Sequence, residues 1–219
     1  MAFGAEETRL GAMANGAECW LPTEDCTCTN IVPCNLWKGM KFWLYMHPKD
    51  FLHQNNTGKL LWQVLGIQAA QLCLFGIQEH EDIMWDAFQS SVGCHVYEKW
   101  RLGPVTVHIY RHSGFYGSVN EIWTAIWGDE DIPCIALSTL VASVMHKLRP
   151  QPAWDRTCTA AAAAGLLWEL NLRPELSAFE LEKQAEAVEC SLDILLDALA
   201  ARRVRLGRSI TRKQRHNRN

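Results

Sequence analysis

Short apolar segments rich in β-branched and aromatic residues recur along the chain, separated by longer stretches of mixed polarity. Continuous apolar runs of this length are typical of strands that are buried on both faces of a sheet. The pattern therefore predicts strands at KFWLYM (41–46), AAQLCLFGI (69–77), GCHVYE (93–98), VTVHIY (105–110) and IPCIAL (132–137).

The stretches between these segments have helical periodicity. Directly after the first strand and a polar loop, one apolar helical face is formed by Leu60, Leu61, Val64 and Leu65. Asn56 or Thr57 could cap this helix. Further helices are predicted at 80–91, 117–127 and 159–170. The alternation predicts an α/β fold with a mostly parallel sheet and flanking helices, in which ligands bind at the carboxyl ends of the strands.

The composition changes after Arg173. Residues 174–201 predict a long helix, and its apolar stripe is formed by Val188, Leu192, Leu195, Leu196 and Leu199. Packing of this stripe on its own domain is the simpler interpretation, and contact with another chain is the alternative. Residues 202–219 are strongly basic and contain no Asp or Glu, so we interpret them as a basic tail.

Composition indicates one sizeable domain with appendages, because the chain has 219 residues, 48% of them hydrophobic, and a formal net charge of −3. We expect a flexible N-terminus at 1–18 and an α/β domain at 19–173. Neither a secretory leader nor a membrane-spanning apolar run is evident, and nine cysteines in such a chain are typical of reduced thiols. We therefore expect a cytoplasmic or nuclear protein with no membrane partner.

The segment CWLPTEDCTC places Cys19, Cys26 and Cys28 within ten residues. Soft thiolates are good ligands for zinc, but a structural zinc site normally has four ligands. Cys34 could supply a fourth, although the spacing is not a paired CxxC pattern. A metal site and ordinary buried thiols therefore remain two open interpretations.

Two loops that follow predicted strands are candidate binding segments. His47 and Asp50 follow the first strand, where a loop faces the usual binding crevice of an α/β sheet, although a simple turn before a capped helix also explains them. The second loop, YRHSGFYGS (110–118), leaves a strand through two glycines, whose backbone amides can meet an anionic or polar ligand. Common nucleotide-binding and hydrolase motifs are absent from the sequence.

In their order and spacing, these segments resemble the DTW-domain family, the tRNA-uridine aminocarboxypropyltransferases, from about Cys19 to Leu170. The cysteine segment is similar to the family's cysteine cluster, which is thought to hold zinc, although the first family cysteine falls on Gly16. The most specific stretch matches the family's His-Pro-Xaa-acid turn and Asn-Thr helix start. Residues that carry the resemblance include His47, Pro48, Asp50, Asn56, Thr57, Pro133, Arg149 and Thr159.

The resemblance implies a knotted, SPOUT-like α/β domain that transfers the 3-amino-3-carboxypropyl group of S-adenosylmethionine to N3 of a tRNA uridine. Ser113, Gly114, Phe115 and Tyr116 stand where the family has its Asp-Xaa-Thr-Trp motif, and Ala161 replaces a second acid. We therefore assign catalytic positions to Ser113 and Tyr116 and consider His112 a substitute base, because its unperturbed pKa is about 6.5. A strand-end histidine without that role is the alternative.

The remaining sites are also implied by the resemblance. Cofactor-binding positions are Tyr97, Glu98, Ile135, Leu137 and Thr159. Lys147 and Arg149 near the site, with Arg212, Lys213 and Arg215 in the tail, are candidate contacts to tRNA or another structured RNA. A role of the tail as a nuclear address is the alternative. Loss of the family carboxylates also leaves open a catalytically silent relative that binds RNA or a protein partner.

Overall fold

The computed structural model describes residues 19–90, 105–110, 144–148 and 158–210. Three strands lie in this part of the chain: β1 (Met40–Met46), β2 (Ala70–Leu74) and β3 (Val105–Tyr110). Its α-helices are α1 (Pro48–Phe51), α2 (Gly58–Leu65), α3 (Gln78–Ser90), α4 (Thr159–Asn171) and α5 (Leu181–Arg205). Short 3₁₀ helices occupy Thr23–Asp25, Val144–Lys147 and Pro174–Phe179.

The three strands form a parallel sheet in the order β2-β1-β3, with β1 in the centre. Phe42 pairs with Ala70 on one side and with Val107 on the other, and Tyr45 pairs with Tyr110. The strands predicted at 41–46, 69–77 and 105–110 are confirmed, as are the helices predicted at 80–91 and 159–170. The strands predicted at 93–98 and 132–137 and the helix predicted at 117–127 lie outside the described residues.

Strand β1 is buried on both faces. Phe42, Leu44 and Met46 belong to a core formed with α2, α4 and α5. Trp43 and Tyr45 point to the opposite face, where they pack with Cys73 of β2 and Met84 of α3. This alternation follows from the two-residue period of a strand, and it explains why the segment contains almost no polar residue.

In the order β2-β1-β3, the connection that leaves β1 leads to its neighbour β2. The connection that leaves β2 runs in the opposite direction, past β1 to β3 on the other side. Right-handed crossovers then place successive helices on opposite faces, in agreement with α2 on one face and α3 on the other. Such a reversal defines a crevice at the carboxyl ends of the two strands, here β1 and β3. The mixed α/β class is confirmed, whereas the knotted, SPOUT-like character stays a prediction.

The C-terminal helix differs from the predicted range 174–201. Pro174–Phe179 forms a separate 3₁₀ helix, Glu180 adopts a left-handed conformation with φ of 53°, and α5 begins only at Leu181. Phe179 stacks on Trp37 with ring centroids 4.3 Å apart, which holds this turn against the domain. The predicted apolar stripe is confirmed, because Val188, Leu192, Leu195, Leu196 and Leu199 are buried and α5 packs along α4.

The last turn of α5 binds the cysteine segment through charge. Arg205 donates to both carboxylate oxygens of Asp25, at 2.8 and 2.6 Å, and Arg202 lies 3.3 Å from the same carboxylate. The side chain of Asp25 is only 3% exposed. The Arg205 guanidinium holds the pKa of this carboxyl below its ordinary value, against the effect of burial. Residues 202–205 belong to α5, so the helix continues past the predicted boundary at 201.

In the described ranges, we find no helix with the length and apolarity needed to traverse a bilayer.

We expect Arg205→Met to lower the free energy of unfolding more than Asp25→Asn. The methionine variant leaves a buried carboxylate with only Arg202 beside it, whereas asparagine in place of Asp25 still accepts hydrogen bonds and leaves the arginines in contact with water. Urea unfolding monitored by circular dichroism measures both variants. Lys183→Met, at an exposed ion pair, is the control with no expected change. An equal or larger loss for Asp25→Asn would contradict the prediction.

Candidate functional site

Three thiols converge in the segment before β1. The sulfur atoms of Cys19, Cys26 and Cys28 all lie within 4.8 Å of one another, and those of Cys19 and Cys26 are 3.6 Å apart. Tetrahedral zinc with bonds of about 2.3 Å separates its sulfur ligands by about 3.8 Å. The described cysteines are free thiols. The geometry and chemistry of this cluster therefore fit a metal ion, and zinc in particular.

The local backbone is arranged to support a thiolate at Cys19. Trp20 has a left-handed conformation with φ of 58°, uncommon for a bulky residue, and the turn allows Cys19 to face Cys26. Burial acts to raise the pKa of the Cys19 thiol, but hydrogen bonds from the backbone of Leu21 and Thr27 and from the neighbouring thiols outweigh it and lower the pKa. Burial and the proximity of Cys19 raise the pKa of Cys28 to about 12. Cys19 is therefore the more readily ionised of the two.

Cys34 does not join the cluster, so the structure does not support the possibility that it supplies a fourth ligand. Its backbone N–H donates to the Val64 carbonyl at 2.7 Å, which ties this residue to the end of α2. Its thiol instead contacts the carbonyl of Asn35 at 3.8 Å, and burial raises the pKa of that thiol. Among the described residues, the group that could hold a metal ion consists of three cysteines.

Lys59 connects the cysteine cluster to the loop after β1. Its side chain lies in the interior, since the residue is 4% exposed, with Nζ 5.5 Å from the ring centroid of Trp20 and 5.6 Å from that of Phe51. The two rings contact each other edge to face at 5.0 Å. Burial lowers the pKa of Lys59 to about 8, although the charge of Cys19 opposes this shift.

The His47–Asp50 loop begins directly after β1. The Nδ1 atom of His47 accepts a hydrogen bond from the Lys49 N–H at 3.1 Å and caps the short helix α1, which Pro48 begins. The carboxylate oxygen Oδ2 of Asp50 is buried and has no hydrogen-bond partner within the described ranges. His47 therefore has a structural role in this turn, whereas Asp50 has an unsatisfied acceptor.

Asn56 and Thr57 organise the starts of two helices. Asn56 accepts from the Gly58 N–H at 2.8 Å and donates to the Asp50 carbonyl at 2.8 Å, so it supports the beginning of α2 as predicted. Thr57 makes no cap for its own helix and instead accepts from the Ala160 N–H at 3.3 Å, in the first turn of α4. The predicted cofactor-binding residue Thr159 is thus brought beside the Asn56–Thr57 pair.

The structure brings together one part of the predicted site. His47, Asp50, Asn56 and Thr57 lie beyond the carboxyl end of β1 with Thr159 near them, and Lys59 joins this group to the cysteines. Lys147 lies in a described 3₁₀ helix, but its side chain is not described. The other predicted site residues lie outside the described part of the chain: Tyr97, Glu98, His112, Ser113, Tyr116, Ile135, Leu137, Arg149, Arg212, Lys213 and Arg215.

The sequence did not predict three polar residues that hold this region together. Lys59 would be expected on the surface, because lysine is almost never fully buried. Asp25 would also be expected on the surface, because aspartate is almost never fully buried. Only its position between Cys19 and Cys26 could have indicated that it is buried. Gln184 accepts from the Trp37 N–H at 2.9 Å and donates to the Phe179 carbonyl at 2.7 Å. The one feature of the sequence that could have indicated burial of Gln184 was its position between apolar residues of the buried stripe on α5.

Comparison with known proteins gives a match, and it covers the segment that contains the cysteine cluster and the loop after β1. A family model described as the DTW domain matches residues 15–98. The match confirms the resemblance to the DTW-domain family for this segment, which contains both the cysteine cluster and the loop after β1. It is consistent with a tRNA-related function and, at the level of the family, with a tRNA-modifying transferase. No curated protein and no solved structure matches the chain.

We expect Asn56→Ala to destabilise the protein by about 2–4 kcal/mol, because the substitution removes the partners of the Gly58 N–H and the Asp50 carbonyl in a buried location. Denaturant unfolding measures the change. Asn30→Ala, at an exposed asparagine, should change the free energy of unfolding by less than about 0.5 kcal/mol. A loss at Asn56 no larger than that of the control would show that these hydrogen bonds do not hold the loop.

Proposed function

We propose that this protein transfers the 3-amino-3-carboxypropyl group of S-adenosylmethionine to N3 of a uridine in tRNA. The observation that carries the proposal is the DTW match over residues 15–98, since this segment includes the motif residues that lie together beyond β1. The crevice between the carboxyl ends of β1 and β3 is the expected ligand site of such a sheet.

The reaction requires a nucleophile, a leaving group and a proton acceptor. S-adenosylmethionine supplies the transferred group: uridine N3 bonds to its γ-carbon, the carbon–sulfur bond breaks, and methylthioadenosine leaves with the bonding electrons. The N3 proton must pass to a base or to water. Correct orientation can provide much of the rate in such a displacement, and a positioned base typically adds about 10²–10⁴-fold.

The sheet register supports the proposed location of the reacting residues. Tyr45 near the end of β1 pairs with Tyr110 at the end of β3, and His112 and Ser113 follow Tyr110 within three residues. The loop after β1 also contains the buried oxygen Oδ2 of Asp50, which has no hydrogen-bond partner among the residues that the structure describes. We infer that both loops contribute to one site, in which Ser113 and Tyr116 orient the uridine and His112 accepts the proton. Thr159 and the predicted positions Tyr97, Glu98, Ile135 and Leu137 would hold S-adenosylmethionine.

The RNA would be bound through its phosphates. The structure commits Arg202, Arg203 and Arg205 to contacts within the protein, with Gln54, the Leu148 carbonyl and Asp25 respectively. We therefore assign phosphate contacts to the more distal Arg212, Lys213 and Arg215, together with Lys147 and Arg149. Such contacts position the RNA without reading its bases, and they weaken as salt rises.

The cysteine cluster would bind zinc in a structural role. Cys19, Cys26 and Cys28 provide three thiolates at suitable separation, and their loop packs through Trp20 against Phe51 of α1. Zinc would thus hold in place the cysteine segment, which packs against the loop beyond β1. It would make no contact with the reacting atoms.

A catalytically silent relative that binds RNA is the second candidate. It is favoured by Ser113, Gly114, Phe115 and Tyr116 in place of the family's Asp-Xaa-Thr-Trp motif, and by the end of the family match at residue 98, before this turn.

Turnover separates the two candidates. We expect the purified protein, incubated with labelled S-adenosylmethionine and unmodified tRNA, to release methylthioadenosine and to leave an acid-stable label in the RNA. RNA binding that weakens with salt, without either product, would instead establish the silent relative.

Two substitutions test the assignment of the base. We expect His112→Ala to lower kcat by about 10²-fold or more and Ser113→Asp to restore turnover in that background, because a carboxylate then stands at the position where the family has one. Single-turnover rates on saturating tRNA measure the chemical step. An unchanged rate in His112→Ala would remove this histidine from the mechanism.

A further inference from the structure

Lys59 is a buried cation whose environment is not explained by the hydrogen bonds of the fold. Its Nζ makes no hydrogen bond within the described residues, and the ion pairs found in this part of the chain do not include it. A charged group that is 4% exposed is normally paired. The Trp20 and Phe51 rings provide only partial compensation, since a cation–π contact is weaker than an ion pair.

The cysteine cluster is an adjacent source of negative charge. The buried carboxylate of Asp50, which precedes Phe51, is not joined to Lys59 by any ion pair found in the described part of the chain. Trp20, which contacts Lys59, follows Cys19 directly in the chain, and the charge of Cys19 acts on the ammonium group. Three thiolates around a divalent cation carry a net charge of −1. A buried net charge is strongly disfavoured unless an opposite charge lies near it, and one lysine supplies the required +1.

We propose that Lys59 is the counter-charge of the Cys19, Cys26 and Cys28 metal site and adjusts this site to bind a divalent cation through three thiolates. The inference rests on the proposed zinc site and adds a residue outside the ligand set. Lys59 does not coordinate the metal in this proposal. It stabilises the metal-bound state by its charge, across the contact with Trp20, and its aromatic neighbours keep water away from the ammonium group.

The proposal predicts a defined change in metal affinity. Lys59→Met retains the length and apolar stem of the side chain and removes the charge. We expect it to weaken zinc binding by about ten- to a hundredfold, the range given by one unit charge at about 6–12 Å from the site with an effective dielectric constant of about 20. Lys59→Arg should recover most of the affinity, and the exposed Lys183→Met should bind zinc like the unaltered protein.

Two measurements on the full chain test this prediction. Competition with a chromophoric chelator gives the zinc affinity, and the thiolate charge-transfer bands of the cobalt(II)-loaded protein report the number of sulfur ligands. Unchanged bands with weakened affinity would support a counter-charge, because they show that the three thiolates still bind. Lys59→Gln, whose amide can hydrogen-bond, provides the same comparison if the methionine variant does not fold.

The other outcomes distinguish the role of Lys59 from the proposed zinc site itself. Equal zinc affinity in Lys59→Met and the unaltered protein would overturn the role of Lys59 while the metal site stands. Loss of a sulfur band in Lys59→Met would overturn it as well, because the lysine would then be needed for the shape of the ligand loop. Failure of the unaltered protein to bind zinc or cobalt would overturn both the proposed zinc site and the role of Lys59 at that site.

Discussion

Strand β1 is paired along both of its edges and buried on both of its faces. Its backbone pairs with β2 and β3, while its side chains alternate between the core of α2, α4 and α5 and the smaller core beneath α3. Burial of every backbone polar group requires that both edges be paired, and burial of both faces requires helices on both sides. The central position of β1 in turn creates the crevice at its carboxyl end, where the loop from His47 to Thr57 begins.

Polar groups in this loop and in the cysteine segment are positioned by partners that are distant in sequence. Thr57 accepts from Ala160, and Asp25 receives two arginines from the last turn of α5. Each bond provides a partner for a group that would otherwise be buried without one, so that each also fixes the relative position of two elements. The cysteine segment is therefore connected to the loop after β1 through Trp20, Phe51 and Lys59. Asp25 connects the same segment to the C-terminal helix.

Within the described residues, the sequence predicted the strands and most helices, because their hydrophobic patterns depend on local period and burial. It left two interpretations open for Cys19, Cys26 and Cys28, and the structure brings their three sulfur atoms together. The start of α5 was predicted too early, since composition does not distinguish the Pro174–Phe179 3₁₀ turn from a first helical turn. Lys59 and Asp25 could not be predicted as buried, because their burial depends on partners in other elements. The exclusion of Cys34 from the cluster likewise depends on its backbone bond to Val64.

The contact between Asp25 and Arg205 also constrains the order of assembly during translation. The cysteine segment leaves the ribosome long before α5 does, and it remains without its charge partners until that helix has been synthesised. Asp25 cannot be buried stably during this interval, since its carboxylate would lack a counter-ion. The cysteine segment therefore cannot reach its charge-paired arrangement until the last turn of α5 has been synthesised.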